Sequence, residues 1–155
     1  KYNRFEQQSF ALEPLIPYVN ENNISKGIKV EHLYKVHPWL LSSNNCLSLQ
    51  MLKLCQIDIM NENLLSYDGG NMQLLVDLVN TEGGYTLLPF FMLDKLIIDD
   101  RFECYFTEST PVRDLVLIHK KRSSNKNLLI ELAKRAKNEF EVSLSAKTLV
   151  IDWNS

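Results

Sequence analysis

The chain alternates between stretches whose apolar residues recur at every second position and stretches whose apolar residues recur at every third or fourth. The first spacing predicts strands and the second predicts helices, so their alternation indicates an α/β domain. Strands are predicted at residues 10–19, 38–41, 63–67, 85–88, 102–106, 112–119 and 148–153. Because Pro14 and Pro17 cannot donate to a sheet, we expect the first strand at a sheet edge or at a crossover between two lobes.

Longer helices are predicted at residues 45–56, at 71–80 with a Gly83-Gly84 pair closing the helix, and at 125–140. Asn44 or Asn45 is expected to cap the first of them, and Asn71 to open the second. The apolar side of the last helix is expected to consist of Leu128, Leu129, Leu132, Ala133 and Ala136. Shorter helical segments are expected at residues 29–35 and directly after residue 89.

Two of these helices begin just after a strand and a small polar loop. In open α/β sheets, ligands gather at such points, because the N–H groups and the positive dipole ends of the helices are directed there. This organisation predicts a site for a small molecule or an anion, formed by Ser43, Asn44, Asn45, Gly70 and Asn71.

Composition narrows the class of protein. The chain has 155 residues and a mass of 18.0 kDa, so we expect one domain or one large lobe. A hydrophobic content of 45% excludes a disordered chain, and a net charge of −2 is not that of a nucleic-acid-binding module. No apolar run approaches the roughly 20 residues of a membrane span. Because the first residue is Lys1, we expect the chain to be an excised piece of a longer protein.

The cysteines and histidines carry little sign of metal or disulfide chemistry. Three cysteines are too few, and odd in number, for a disulfide-stapled fold, so free thiols in a reducing cytoplasm are expected. His32, His37 and His119 lack the spacing of metal ligands. No nucleophile elbow, phosphate loop or zinc motif is present, so we expect neither an enzyme nor a cofactor or metal.

Cys46 and Cys55 are the strongest candidates in the sequence for a chemical role. In a helix over residues 45–56, nine steps of about 100° place them on opposite faces, roughly 13 Å apart along the axis. A disulfide needs Cα atoms about 4.4–6.8 Å apart, so the pair can bridge only if the helix opens. The first helical turn favours the thiolate form of Cys46, whereas Cys55 belongs to the apolar stripe. The pattern therefore predicts either a two-state redox element or two unrelated thiols.

Three segments resemble the regulatory domains of LysR-type transcription regulators, in particular their peroxide-sensing OxyR branch. The first is Trp39-Leu40-Leu41, followed by a polar loop, Cys46, Gln50 and Cys55. The second is Gly83-Gly84-Tyr85-Thr86-Leu87-Leu88-Pro89, which is similar to the family's Gly-x-Gly-Ile-Thr-Leu-Leu-Pro stretch. The third runs from Pro111 to Ile118 and continues into the long helix. The resemblance covers residues 13–141.

The resemblance implies a regulatory, or effector-binding, domain over residues 1–155 with a periplasmic-binding-protein-like (type 2) fold. It would contain mainly the second lobe, a mixed sheet flanked by helices, with the DNA-binding domain and most of the other lobe outside this chain. Cys46 would be the thiol that peroxide oxidises, and Cys55 would resolve it to a disulfide. DNA would be bound only through the absent domain, and no membrane would be involved.

Some residues depart from the family pattern. Asn45 replaces the family's His, and Ser48 and Leu49 replace its Arg-Asp, so no cation follows Cys46 in the sequence. A second hypothesis is therefore a LysR-type domain that binds a small organic effector and has inert cysteines. A third is a fragment of a solute-binding protein.

The resemblance also implies self-association. In LysR-type regulators, the helix that corresponds to residues 71–80 packs across an antiparallel dimer of regulatory domains. Leu74 and Leu78 are spaced four residues apart, on one side of that helix. We therefore expect a homodimer or tetramer whose interface includes Gln73, Leu74, Asp77 and Leu78.

Overall fold

The computed structural model describes residues 4–21, 24, 26–42, 45–57, 70–140 and 148–151. The predicted strand at residues 63–67 and two predicted site residues, Ser43 and Asn44, lie outside these ranges, as do the last residues of the predicted C-terminal strand. In the described part of the chain, no helix is long and apolar enough to cross a membrane.

The main sheet has four strands in the order β3-β1-β5-β6. These strands are β1 (Phe5–Asn20), β3 (Gly84–Pro89), β5 (Thr110–Lys120) and β6 (Thr148–Val150). β1 is antiparallel to both of its neighbours, whereas β6 is parallel to β5. Two short parallel strands, β2 (Gly27–Ile28) and β4 (Tyr105–Phe106), form a second sheet. The predicted mixed α/β architecture is therefore confirmed.

Of the two predicted positions of β1, the sheet edge is wrong, because this strand lies inside the sheet order. The other position, a crossover between two lobes, stays a prediction. Its first part pairs with β5 as far as Pro14, and its last part pairs with β3 from Leu15 onward. Pro14 thus lies where one partner strand replaces the other. The carbonyl of Pro17 accepts a hydrogen bond from the N–H of Cys104, at 2.9 Å, on the side where β5 has ended. The strand tolerates both prolines because it changes partners between them.

The predicted helices are confirmed in the described residues. They are α1 (Val30–Leu33), α2 (Cys46–Leu54), α3 (Met72–Glu82) and α4 (Lys126–Glu139). The segment after Pro89 is a 3₁₀ helix over Phe90–Lys95 rather than an α-helix. The core lies between α2, α3 and β3, where Met51, Leu75 and Val76 are almost completely buried.

Two predicted strands differ from the structure. Residues 38–41 form isolated bridges instead of a strand, at Pro38, which pairs with Tyr85, and at Leu40. In the predicted strand at 102–106, Tyr105–Phe106 is a short strand, and Glu103 makes an isolated bridge to Tyr18. The apolar side of α4 is only partly buried, since Leu128 is 67% exposed and Leu132 is 54% exposed. Helical spacing identifies a shared face but not whether another element covers it.

Candidate functional site

The first turn of α2 presents Cys46 to solvent. Cys46 is exposed and is the first residue of the helix. Asn45 is the N-cap, as predicted, because its side-chain oxygen accepts the N–H of Leu47 at 2.9 Å. The buried Ser48 hydroxyl donates to the Leu41 carbonyl at 2.9 Å, which ties the helix to the preceding segment. Ser48 therefore fixes the position of this helix end.

The first turn of α3 is built in the same way. The side-chain oxygen of Asn71 accepts the N–H of Gln73 at 3.0 Å, which confirms Asn71 as the residue that opens this helix. Gly70, just before it, is exposed, and a Cβ atom at this position would have no atom within 4 Å. The approach to this helix end is therefore open.

Both helix ends line one open cleft with a volume of about 520 Å³. Four of the predicted site residues, Asn45, Cys46, Gly70 and Asn71, meet there. The opposite walls come from the 3₁₀ helix and from β5, through Pro89, Met92, Lys95, Leu96 and Arg113. The cleft thus combines two regions that are separated in the sequence and that the strand–loop–helix pattern predicted independently.

The sequence analysis missed two cations of this cleft, Lys95 and Arg113. The Nε of Arg113 donates to Glu13 at 2.5 Å, and the other carboxylate oxygen of Glu13 accepts the N–H of Phe91 at 3.0 Å. Glu13 is only 2% exposed, so it anchors the arginine at the cleft wall. Both cations come from elements that are distant from Cys46 in the sequence, so the residues around Cys46 did not indicate them.

The electrostatic character of the cleft follows from these groups. Two helix N-termini contribute N–H groups and positive dipole ends, and both favour a negative charge nearby. Lys95 and Arg113 add positive charge, although Glu13 neutralises part of the arginine's charge. This combination suits a small anionic ligand.

Cys55 has the opposite environment, at the far end of α2. It is the C-cap residue and is 2% exposed. Burial raises the pKa of the Cys55 thiol to about 11, and the neighbouring Tyr85 hydroxyl offsets part of this increase. Cys55 is therefore a neutral thiol at pH 7, protected from solvent. None of the three cysteines forms a disulfide, and the complete helix between Cys46 and Cys55 keeps this pair about 13 Å apart along the helix axis.

The residues predicted for the dimer interface lie on α3. Leu74 and Leu78 are partly buried, and Asp77 is exposed. Gln73 binds its own chain, because its side-chain amide accepts the N–H of Ile97 at 2.8 Å and donates to the Ile97 carbonyl at 3.0 Å. These two bonds hold Ile97, which is 82% exposed, beside the helix.

Neither a family model nor a curated protein matches this sequence. Solved structures, however, match it closely in fold. The chain is similar to reduced OxyR from Porphyromonas gingivalis, with a TM-score of 0.74 and 20% identity, over 97% of this chain and 72% of that one. It is also similar to the reduced OxyR regulatory domain from Pseudomonas aeruginosa, with a TM-score of 0.71 and 15% identity, over 89% and 68%.

A third similar structure is an OxyR mutant from Corynebacterium glutamicum with bound H2O2, with a TM-score of 0.74 and 17% identity, over 90% of this chain and 47% of that one. The chain therefore has the periplasmic-binding-protein-like fold of OxyR regulatory domains. The resemblance stated from the motifs is confirmed at the level of fold.

Proposed function

We propose that this chain is part of the regulatory domain of a LysR-type transcription regulator of the OxyR kind, in which peroxide drives a disulfide between Cys46 and Cys55. The contrast between the two cysteines carries the proposal. One is exposed at a helix N-terminus in a cleft with two cations, whereas the other is buried at the end of the same helix. Exposure and positive surroundings favour reaction with an oxidant, and burial prevents it.

The chemistry has two steps. The Cys46 thiolate attacks peroxide, the O–O bond breaks, one oxygen becomes the sulfenic acid and the other leaves as water after taking up a proton. The Cys55 sulfur then attacks the Cys46 sulfur, and the S–O bond breaks as hydroxide leaves with the Cys55 proton, as a second water. Because Cys46 and Cys55 start about 13 Å apart along the helix axis, α2 must open before the second step. A DNA-binding domain elsewhere in the protein would respond to this change of conformation.

The proposal makes the protein a stoichiometric sensor rather than an enzyme, because the disulfide persists until a reductant removes it. A switch that is reset by a reductant requires a reducing compartment, so we propose that the protein acts in the cytoplasm.

A thiol count tests the proposal. After one equivalent of peroxide, we expect the chain to lose two of its three thiols and its mass to fall by two hydrogens, without a covalent dimer. Cys46→Ser and Cys55→Ser should each form no intramolecular disulfide. Cys104→Ser, the matched control, should still form it. Three intact thiols in the treated wild-type chain would refute peroxide sensing.

The size and charge of the cleft favour a second candidate function, the binding of a small organic anion. Its volume of about 520 Å³ falls in the range of small-molecule sites, and its walls offer N–H groups and cations. In this case the cysteines would be inert, and the thiol count would remain unchanged by peroxide. Saturable binding of an organic anion, measured by calorimetry and weakened by Arg113→Met, would then identify the function.

Exposed apolar side chains support the proposal that this chain is mostly one lobe of a larger regulatory domain. They are Phe5 and Ile118 on the sheet and Leu128 and Leu132 on α4, each more than half exposed. Scattered apolar residues are normal on a surface, but Leu128 and Leu132 lie one turn apart on the same helix. The similar OxyR structures contain additional chain, since this one spans 72% of the Porphyromonas gingivalis structure. We propose that the rest of the domain covers this side of α4.

We further propose that the complete regulatory domain forms a dimer through α3, with Gln73, Leu74, Asp77 and Leu78 at the interface and Ile97 beside them. Sedimentation of the complete domain should give a dimer, and Leu74→Lys should shift it to monomer because a charge would replace an apolar contact. Asp94→Lys, an exposed position on the 3₁₀ helix, is the control and should leave the dimer intact. A wild-type monomer at high concentration would contradict the interface.

A further inference from the structure

The inner side of α2 and the neighbouring strand β3 bury polar groups that have no hydrogen-bond partner. Gln50 is 2% exposed, and neither its side-chain oxygen nor its side-chain nitrogen is paired in the described structure. Tyr85 in β3 is completely buried, and its hydroxyl is unpaired as well. Buried polar groups are almost always hydrogen-bonded in folded proteins, so these two residues need an explanation.

Another tyrosine of the same core shows that the fold can satisfy such a group. Tyr18 is also completely buried, but its hydroxyl donates to Asn80 at 2.6 Å and accepts the N–H of Asp99 at 2.9 Å. Within α2, the buried Ser48 hydroxyl is also paired, because it donates to the Leu41 carbonyl. His37 Nε2 is the other buried side-chain atom without a partner in the described part of the chain, so such groups are few and are not a general property of the core.

Tyr85 lies directly beside the thiol that has to move. Its hydroxyl approaches the Cys55 sulfur in a geometry that falls short of a regular hydrogen bond, and each group perturbs the pKa of the other. A thiol is in any case a weak acceptor, so it replaces little of the hydration that the hydroxyl loses on burial. When α2 opens and Cys55 leaves, both Tyr85 and Gln50 regain access to water.

We propose that Gln50 and Tyr85 are positioning residues of the switch, which keep α2 ready to open by destabilising its closed, reduced form. A buried polar group that lacks a partner is costly, whereas an apolar side chain of the same shape is not. The two residues therefore lower the free energy needed to open the helix and so set how often Cys55 becomes available. The inference deepens the proposed disulfide switch, but the opening itself is a property of the reduced chain and can be measured without oxidant.

The first experiment follows the alkylation of Cys55 by a small thiol reagent in the reduced Cys46→Ser chain. Gln50→Met and Tyr85→Phe should each slow this reaction about tenfold, which corresponds to roughly 1.4 kcal/mol in the opening equilibrium. Cys104, which is also buried, is the internal reference, and its rate should remain unchanged because α2 opens locally. Slower reaction of both thiols would indicate only a general gain in stability and would overturn the inference.

Two matched variants complete this experiment. Leu49→Met changes the exposed side of the same helix, where Leu49 is 44% exposed, and should leave the Cys55 rate unchanged. Tyr18→Phe removes the paired hydroxyl and should destabilise the fold, in contrast to Tyr85→Phe. If Gln50→Met and Tyr85→Phe both fold and both leave Cys55 reacting at the wild-type rate or faster, the inference is wrong.

The second experiment separates this inference from the proposed function. Trapping of the sulfenic acid in a Cys55→Ser background should give the same rate with and without Gln50→Met, because this step involves Cys46 alone. With both cysteines present, Gln50→Met should slow disulfide formation about tenfold. A Cys55→Ser chain that forms no sulfenic acid would refute peroxide sensing, yet the alkylation rates would still decide whether Gln50 and Tyr85 control the helix.

Discussion

Replacement of Gly84 with alanine is expected to lower the free energy of unfolding by about 3 kcal/mol. Gly84 has a φ of +85°, a conformation that L-residues with a side chain rarely adopt. A Cβ atom there would stand 2.5 Å from the His37 carbonyl oxygen, which is backbone and cannot turn away. The variant must therefore shift either β3 or the segment that pairs with it at Pro38.

Urea unfolding of the two forms measures this effect directly. Gly70→Ala is the matched control, because a Cβ at Gly70 meets no atom within 4 Å, and it should change stability by less than about 0.5 kcal/mol. A loss below about 1 kcal/mol for Gly84→Ala would show that the contact with His37 relaxes easily. Because β3 carries Tyr85, the same variant should also increase the alkylation rate of Cys55.

Replacement of Glu13 with leucine is the second substitution with a large expected effect. It should lower the free energy of unfolding by about 3 kcal/mol. The Glu13 carboxylate is buried and serves two donors, the Arg113 guanidinium and the N–H of Phe91. Arg113 has a side chain only 18% exposed, so without its partner it would keep a poorly hydrated charge. Removal of one member of such a pair is more costly than removal of both.

The double variant Glu13→Leu with Arg113→Leu should therefore recover most of the lost stability, although it leaves the cleft without its arginine. Glu131→Gln breaks the exposed ion pair with Arg135 on α4 and is the control, with a change of at most about 0.5 kcal/mol. A Glu13→Leu variant as stable as this control would mean that Arg113 reaches water easily and that Glu13 does not anchor it.

Local features of the site could be predicted because their physics involves a few neighbouring residues. Asn45 and Asn71 each accept an N–H two residues further on, which is the ordinary preference of Asn for a helix start. Helix geometry alone also predicts that an intact helix and a Cys46–Cys55 disulfide cannot exist together. The motif Thr86-Leu87-Leu88-Pro89, with its neighbours, was enough to indicate the fold of OxyR regulatory domains.

Partnerships across long distances could not be predicted. Glu13 and Arg113 are separated by 100 positions, and nothing local distinguishes Arg113 from an exposed arginine. The exposure of Leu128 and Leu132 was missed for a related reason, because helical spacing shows which residues share a face but not what lies against it. The unpaired state of Tyr85 is equally invisible in the sequence, since Tyr18 looks no different there and is fully bonded.

The sequence by itself determined the positions of the longer helices and of the main-sheet strands, the two capped helix ends and the spacing of the two cysteines. Each of these depends on backbone preferences and side-chain periods that act within about ten residues. Only the tertiary structure decided that the helix ends share one cleft, that Lys95 and Arg113 supply its charge, and that Gln50 and Tyr85 are buried without partners. Those properties depend on which distant segments of the chain come into contact. The entropy of closing the long loops between such segments cannot be deduced from any single stretch of sequence.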